Sequence, residues 1–499
     1  MSRKNLWDVE FDIQTKEQQS TLLQKVDSPI EVKAIKSRLS SKKVSIEEKL
    51  EIIKSNVYRI LGRYKDETLV IKSKEELVSY IDKAIDNGVI AIDTETNNSL
   101  DPLTCKIMGG CIYTPGLKQA YIPINHKDSR TNQRLEWQLT EQDLKEQFDR
   151  LSHTKIIMHN AKFDYEVIKC TCDCQLNVYW DTLLGAKILD ENERAGLKQQ
   201  YIEKIDNSIE KYDIEHLFTI EYAVVNPDIF ALYAATDAMM TYKLYEYQLK
   251  ILSRKENQRL LSLLLNIEMP VMQVAAEMEL TGVEIDIEYA KRLSNKYNKN
   301  LKKIENRIQD ELHKYDDIIS KWRLTKEAQE KPKIYNGDER GYAPWPDGSD
   351  YKLGKSKAEQ LDSPVNLSSP VQLAILLYDV LKVPIIDKKT PRGTGEEILK
   401  EIDLPICKLI LEYRGLVKLI NTYIDAISKL AKNSIDGRVR THFNQYGAAT
   451  GRFSSSDPIN LQNIPSHNKD IRMMFKATNG YSLVGGDYSL VMLAVVKLS

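Results

Sequence analysis

Several things are scarce in this 499-residue sequence, and each scarcity excludes something. Six cysteines cannot build a disulfide framework for a chain this long and fit a reducing cytoplasm. Only 21 glycines and 16 prolines punctuate it, which argues for long helices over a turn-rich β fold. The longest unbroken apolar run, Leu490–Val496, has seven residues. A membrane span needs roughly 20, so no membrane partner is expected. Polar sequence follows Met1-Ser2-Arg3-Lys4-Asn5, which predicts no secretory signal. The formal net charge is -1, so no overall basic field advertises nucleic acid, and any such contact must come from local sites.

What is present points to about three domains, since 42% of residues are hydrophobic and 29% charged. Residues 1–66 are polar and lysine-rich and read as a helical prelude. From 67 to 250 short apolar strands alternate with amphipathic helices. Thr68–Ile71 and Val89–Asp93 read as strands, Glu75–Ile85 as a helix, and Ile107–Tyr113 with Ala120–Pro123 as a hairpin about Pro115-Gly116. From 251 to 435 the period becomes helical. Ile267, Val271, Val274 and Met278 step along one face toward a stop at Gly282, and Leu293, Tyr297, Leu301, Ile304, Ile308 and Leu312 continue the pattern. Ile406, Ile410, Tyr413, Val417, Ile420, Ile424 and Ile427 alternate spacings of four and three, the seam of a long helical arm. Residues 318–362 read as a loop-rich insertion and 436–499 as a further unit.

Three separated stretches place carboxylates where chemistry could use them. Asp93 and Glu95 sit two apart at the end of an apolar strand, so both face one side. Asn160 and Asp164 are four apart, one face of a helix if a helix begins there, and Tyr233 and Asp237 repeat that spacing. Taken singly, these are what a solvated strand end, a helix cap and a surface helix also show. Together they have the order of the tyrosine-type DEDD exonucleases, and the chain resembles the proofreading domain of family A DNA polymerases. Asp93 and Glu95 match its first motif, Asp164 with Asn160 its second, and Tyr233 with Asp237 its third.

The resemblance implies a ribonuclease H-like α/β exonuclease domain that hydrolyses DNA from the 3′ end with two divalent cations, magnesium or manganese. Asp93, Glu95, Asp164 and Asp237 are the implied ligands, and Tyr233 is implied to orient the attacking water. About four negative charges on the acids match about four positive charges on two cations, and hard oxygen donors favour such ions. Cys170-Thr-Cys-Asp-Cys174 lacks a second Cys or His pair at zinc spacing and is given no role, and Asp181 is given none either.

The resemblance continues into a mainly helical polymerase thumb and an incomplete palm. Tyr413-Arg-Gly-Leu-Val-Lys418 looks like part of the thumb, which makes Arg414 and Lys418 candidate phosphate contacts. Thr450-Gly-Arg-Phe-Ser-Ser455 and Asn460-Leu-Gln-Asn-Ile-Pro465 are similar to palm signatures, which makes Thr450, Arg452, Gln462 and Asn463 candidate contacts to primer-template duplex. Gly486-Asp-Tyr-Ser489 resembles the first polymerase motif and offers Asp487 as a remnant of its metal site. The match then breaks, and the expected second carboxylate and fingers are missing. The chain is therefore expected not to polymerise alone, and its apolar Leu490–Val496 tail is expected to associate with a complementary fragment or to limit solubility.

The leading expectation is a cytoplasmic DNA 3′-5′ exonuclease joined to part of a family A polymerase active in replication, most like phage-encoded versions, in a bacterial cell or an infected host. Two others stand beside it. One is half of a split polymerase that needs a second chain; the other is an inactive duplex-binding fragment.

Overall fold

The computed structural model describes residues 44–485, except 98, 208–219, 330–341, 345–349, 353–359, 363, 364, 367, 368 and 449. Asp487, the tail Leu490–Val496, residues 1–43 of the prelude and much of the 318–362 insertion lie outside the described residues. The chain forms two compact units, Met1–Thr281 with Phe443–Ser454, and Gly282–His442 with Ser455–Ser499.

The first unit is built on six strands: β1 (Thr68–Val70), β2 (Val89–Thr96), β3 (Ile107–Tyr113), β4 (Gln119–Pro123), β5 (Lys155–Met158) and β6 (Val178–Asp181). They lie in the order β1-β4-β3-β2-β5-β6. β2, β3 and β4 are antiparallel in succession, whereas β2–β5, β5–β6 and β1–β4 run parallel. Local chemistry sets where β2 begins. Helix α2 (Lys74–Asn87) starts where Ser73 Oγ accepts from the Glu76 amide at 3.2 Å, and it ends at Gly88. That glycine has φ 67°, a left-handed cap which a side chain would strain, and the chain reverses there into Val89.

Side chains alternate across a strand, so the sheet divides its residues between two faces. Ile90, Ile92, Ile112 and Ile122 pack with Leu77, Ile81 and Ala84 of α2, with Leu144 and Phe148 of α3 (Glu141–Phe148), and with Ile168 of α4 (Ala161–Cys172). Cys111 and Tyr121 join Ile53, Val57 and Leu61 of α1 (Ile46–Leu61) and Phe230, Tyr233 and Ala234 of α7 (Pro227–Leu252). Between these lie α5 (Thr182–Leu189) and α6 (Leu197–Lys204). The helix expected within the prelude is thus present as α1, and it belongs to the core.

Helix α7 fixes the position of half the site. Asn226 caps it, its Oδ1 accepting from the Asp228 amide at 2.8 Å, and Pro227 opens its first turn. Two buried polar pins set its rotation on the sheet. Gln119 Nε2 donates to Thr236 Oγ1 at 3.0 Å and to Thr68 Oγ1 at 2.9 Å. Farther along, Trp180 Nε1 donates to Gln248 Oε1 at 2.9 Å, and Gln248 Nε2 donates to the Thr182 carbonyl at 2.7 Å. Orphaning one of these buried groups costs about 1–3 kcal/mol, so a rolled helix is disfavoured.

The helical run Lys255–Thr281 reaches the length and apolar composition of a membrane-spanning helix, with a mean hydropathy of 1.3 over its most apolar window. Leu264, Met269, Met272, Ala275 and Ala276 of this run are buried in the first unit. The face marked by Ile267, Val274 and Met278 is the outer one, with Ile267 52%, Val274 58% and Met278 44% exposed. After a π turn at Leu264–Glu268, a second apolar stripe of the same alternating spacing, Met269, Met272 and Ala276, takes the inside. The run stops as expected, at Gly282 with φ 58°.

A distant piece of chain completes this unit. Phe443 N donates to Glu279 Oε1 at 2.6 Å, and its carbonyl accepts from Lys162 Nζ at 2.7 Å. Lys162 and Glu279 also form an ion pair, and Gln445 Nε2 donates to Glu268 Oε2 at 2.8 Å. Burial and the neighbouring Glu279 push the Glu166 carboxyl beneath this network up to about 9, so it stays neutral.

The second unit is mainly helical. A three-stranded antiparallel sheet holds Val283–Ile285 between Arg438–Val439 and Phe475–Lys476. The long helix Ile287–His313 buries Leu293, Tyr297, Ile304, Ile308 and Leu312, as its period predicts. The seam from Ile406 runs through Pro405–Lys418, a π turn at Leu419–Asp425 and Ala426–Asn433. Residues 318–329, expected to be loop, continue the helix Asp316–Gln329, and Tyr342–Pro344 pairs antiparallel with Asp350–Lys352. The Pro and Gly signals that suggested a loop all lie beyond Gln329, so the helical part carried no local contradiction.

Trp180 is fully buried, and its ring centroid lies 5.3 Å from that of Tyr245. Trp180→Ala should lower the unfolding free energy of the first unit by about 3–5 kcal/mol in a denaturant titration followed by circular dichroism.

Candidate active site

Strand register builds the site. Asp93 and Glu95 project from the same face of β2 near its C-terminal end, opposite Cys111 and Gly109 of β3. Single ligand atoms of Asp93, Glu95 and Cys111 lie within 4.8 Å of one another. At such a separation two ionised carboxylates repel by about 3 kcal/mol at an effective dielectric near 20. That is a large fraction of a domain's net stability, so the pair calls for a proton or a cation.

Helix α4 brings in Asp164. Its Oδ1 accepts from the Thr94 amide at 2.8 Å and from Thr94 Oγ1 at 2.6 Å. The residue between the two strand acids therefore anchors the third acid, through both backbone and side chain. Asn160 caps α4 in a left-handed conformation, φ 58° and ψ 46°, and its side chain is exposed and makes no capping hydrogen bond.

The N-termini of α4 and α5 are held by Asp181. It accepts from the amides of Asn160 and Ala161 at 2.9 Å each and from that of Leu183 at 2.8 Å. Sequence reasoning assigns this residue no role, and its role here is positional. Its only local signal is the place directly before an apolar helix, where an Asp serves as N-cap.

Tyr233 and Asp237 come from α7, one turn apart on the face toward the sheet. Helix α6 adds Lys198, which sequence reasoning missed. Its Nζ lies 3.3 Å from Asp237 Oδ2 and 4.5 Å from the centroid of the Tyr233 ring. Nothing in its sequence neighbourhood separates Lys198 from an ordinary surface lysine, because its partners stand on another helix.

The charges act on one another. Burial raises Asp93 far above the usual carboxylate range, Asp164, Glu95 and Asp237 add to the rise, and Lys198 opposes it. The four acids and one lysine therefore share a single electrostatic neighbourhood. Asp164 is pushed up to about 7, since burial outweighs the hydrogen bonds from Thr94. Asp181 reaches about 6 for the same reason, despite its backbone donors. Nearby His159 falls to about 4 through burial, so it is neutral, with Nδ1 2.8 Å from Thr182 Oγ1. As a donor set, clustered carboxylates suit hard divalent cations, which would replace the repulsion by attraction.

The other candidate residues are placed separately. Arg414 Nη1 donates to the Thr394 carbonyl at 2.5 Å, so its guanidinium already has a backbone partner, whereas Lys418 is exposed. Thr450 and Arg452 are exposed on the segment that completes the first unit. Gln462 and Asn463 are exposed on a short turn at Leu461–Asn463, where Asn460 Oδ1 accepts from the Gln462 amide at 3.0 Å. Cys172 and Cys174 are buried in the core.

Comparison with known proteins gives a matching account. Residues 69–253 match the family model described as 3′-5′ exonuclease, and residues 350–497 match DNA polymerase family A. The chain is 30% identical over 464 residues to DNA polymerase I of Treponema pallidum, which covers 84% of this chain and 41% of that protein. To DNA polymerase I of Chloroflexus aurantiacus it is 29% identical, again over 41% of the relative. The chain thus spans about two fifths of the length of these curated relatives. The fold is similar to that of the POL domain of Pol1 from M. smegmatis, solved with DNA primer-template and dNTP. The TM-score is 0.58 at 20% identity, covering 83% of this chain and 59% of that one.

The raised carboxyls make stability depend on pH in a defined direction. In an unfolded chain Asp ionises near 3.9, whereas the folded chain holds protons on Asp164 up to about 7 and on Asp181 up to about 6. Between these values the folded state binds more protons at these two acids, so their contribution to stability falls as pH rises from about 4 to about 7. Glu166, held protonated up to about 9, extends the fall, and His159, depressed to about 4, offsets part of it below about 6.5. In chelator, the melting temperature should drop by several degrees over that range, and Asp181→Asn should show a smaller drop.

Proposed function

For a chain that belongs to the family A DNA polymerases and carries a 3′-5′ exonuclease domain, we propose hydrolytic removal of nucleotides from a DNA 3′ end as its activity. The single observation that carries this reading is the convergence of Asp93, Glu95, Asp164 and Asp237, from one strand and two helices, into one electrostatic neighbourhood. Such crowding is costly in a folded protein unless it serves a cation-dependent reaction.

The first unit is read as a ribonuclease H-like nuclease, with Asp93, Glu95, Asp164 and Asp237 as the holders of divalent cations, Mg2+ or Mn2+. When bound, these ions supply charge neutralisation and Lewis acidity at the phosphate. The protein's own contribution is placement. Thr94 fixes Asp164 relative to the strand acids, and the Gln119–Thr236 and Trp180–Gln248 pins fix Tyr233 and Asp237. The Tyr233 phenol orients a water for in-line attack. The water oxygen bonds to phosphorus, the bond to the 3′ oxygen breaks, and that oxygen takes up a proton. The products are a nucleoside monophosphate and a strand shortened by one nucleotide. Lys198 serves as the resident counter-charge of Asp237 and steadies the Tyr233 ring by a cation–π contact.

The second unit is read as a polymerase thumb with an incomplete palm, and primer-template duplex as its partner. In this unit the exposed side chains of Lys418, Gln462 and Asn463 support this role, whereas Arg414 would have to exchange its carbonyl partner for a phosphate. Thr450 and Arg452 are exposed on the first unit and are read as separate candidate contacts to DNA. An intact acid cluster weighs against an idle DNA-binding fragment.

The test is shortening of a 3′ single strand labelled at its 5′ end. Wild-type protein should shorten it with Mg2+ and not with chelator, and Asp93→Ala with Glu95→Ala should abolish the activity. Tyr233→Phe, which keeps the ring but loses the hydroxyl, should lower the rate by about 10²-fold. Unchanged shortening by the double variant would sink the reading.

A further inference from the structure

One group in the cluster has no part in the scheme above. Cys111 lies on β3 directly opposite Asp93, in the position where cross-strand side chains on one face meet. Its sulfur is within 4.8 Å of ligand atoms of both Asp93 and Glu95. The side chain is wholly buried, and among the described residues its thiol has no hydrogen-bond partner. It belongs to the apolar cluster with Tyr121, Phe230 and Tyr233 on one side and borders the carboxylates on the other. A buried polar atom without a partner, aimed at two acids, is an incomplete coordination set as much as an incomplete hydrogen bond.

The geometry points to Cys111 as a third, soft donor that completes a cation site with Asp93 and Glu95 for thiophilic divalent ions such as Zn2+ and Cd2+. Carboxylate oxygens suit Mg2+ and Mn2+, whereas a thiolate adds affinity for soft ions and little for hard ones. One floor can therefore hold two chemical classes of ion in different ways. A hard ion uses the oxygens alone. A soft ion draws in the sulfur: the S–H bond breaks, the proton leaves to solvent, and a metal–sulfur bond forms. Because Cys111 sits on a central strand between paired neighbours, the sulfur cannot withdraw, and the soft ion is held at the position of Asp93 and Glu95. Soft ions therefore compete with the hard ions that the proposed exonuclease uses, so this consequence rests on that reading. The donor set itself does not.

The test uses the metal-free full-length chain and Cd2+ alone, without DNA. Wild-type protein should develop a thiolate-to-metal charge-transfer absorption in the ultraviolet as Cd2+ is added. Cys111→Ser should lose that absorption and bind Cd2+ about tenfold or more weakly. Asp93→Asn, which retains the thiol, should also weaken Cd2+ binding, whereas Cys170→Ser should leave both affinity and absorption as in wild type. Full absorption and unchanged affinity in Cys111→Ser would overturn the assignment, as would an Asp93→Asn chain that binds Cd2+ like wild type. Shortening of DNA by wild-type protein in Mg2+ is read separately, so failure of the nuclease reading and failure of the sulfur donor give different results.

Discussion

Crowding of like charge is the constraint on which the rest of the first unit turns. Asp93 and Glu95 are forced together by the two-residue period of a strand, and that strand is an interior one, paired with β3 at both acids. Neither acid can move away without breaking ladder hydrogen bonds. Asp164 is tied to the same strand through Thr94, so the third charge cannot leave either. Elsewhere the structure makes this tolerable: backbone amides surround Asp181, and Lys198 faces Asp237. The site is built to hold repulsion in place, and a site of that kind is completed from outside by positive charge.

Much of this was legible in the sequence because it depends on short-range periodicity. The apolar run ending in Asp-Thr-Glu already required both acids to share a face, and Tyr233 and Asp237 needed only one helical turn. Long helices such as Ile287–His313 followed from the spacing of their apolar residues. Where the period misled, two apolar stripes competed on one helix. In Met269–Thr281 the stripe Met269, Met272 and Ala276 took the inside, while Val274 and Met278 face outward. Both stripes alternate steps of three and four, so spacing alone does not choose between them.

What could not be read was every relation across elements. Lys198 meets Asp237 from a different helix, Asp181 serves the starts of two helices, and Cys111 reaches Asp93 only through the β2–β3 register. These residues have unremarkable neighbours along the chain. Their significance arises from pairing register and helix rotation, which are settled by the whole core and not by any window of sequence.

The link from Lys162 and Glu279 to Phe443 also has a meaning for how the molecule is made. The first unit recruits Phe443–Ser454, so it is closed by residues that leave the ribosome long after Thr281. At elongation rates of about 5–20 residues per second, that gap lasts roughly eight to thirty seconds. During this interval the ammonium of Lys162 and the carboxylate of Glu279 have each other but lack the strand that later lies against them. The first unit therefore passes through a stage in which its sheet is assembled while one margin stays uncovered, and Gly282–His442 of the second unit is synthesised before the first is finished.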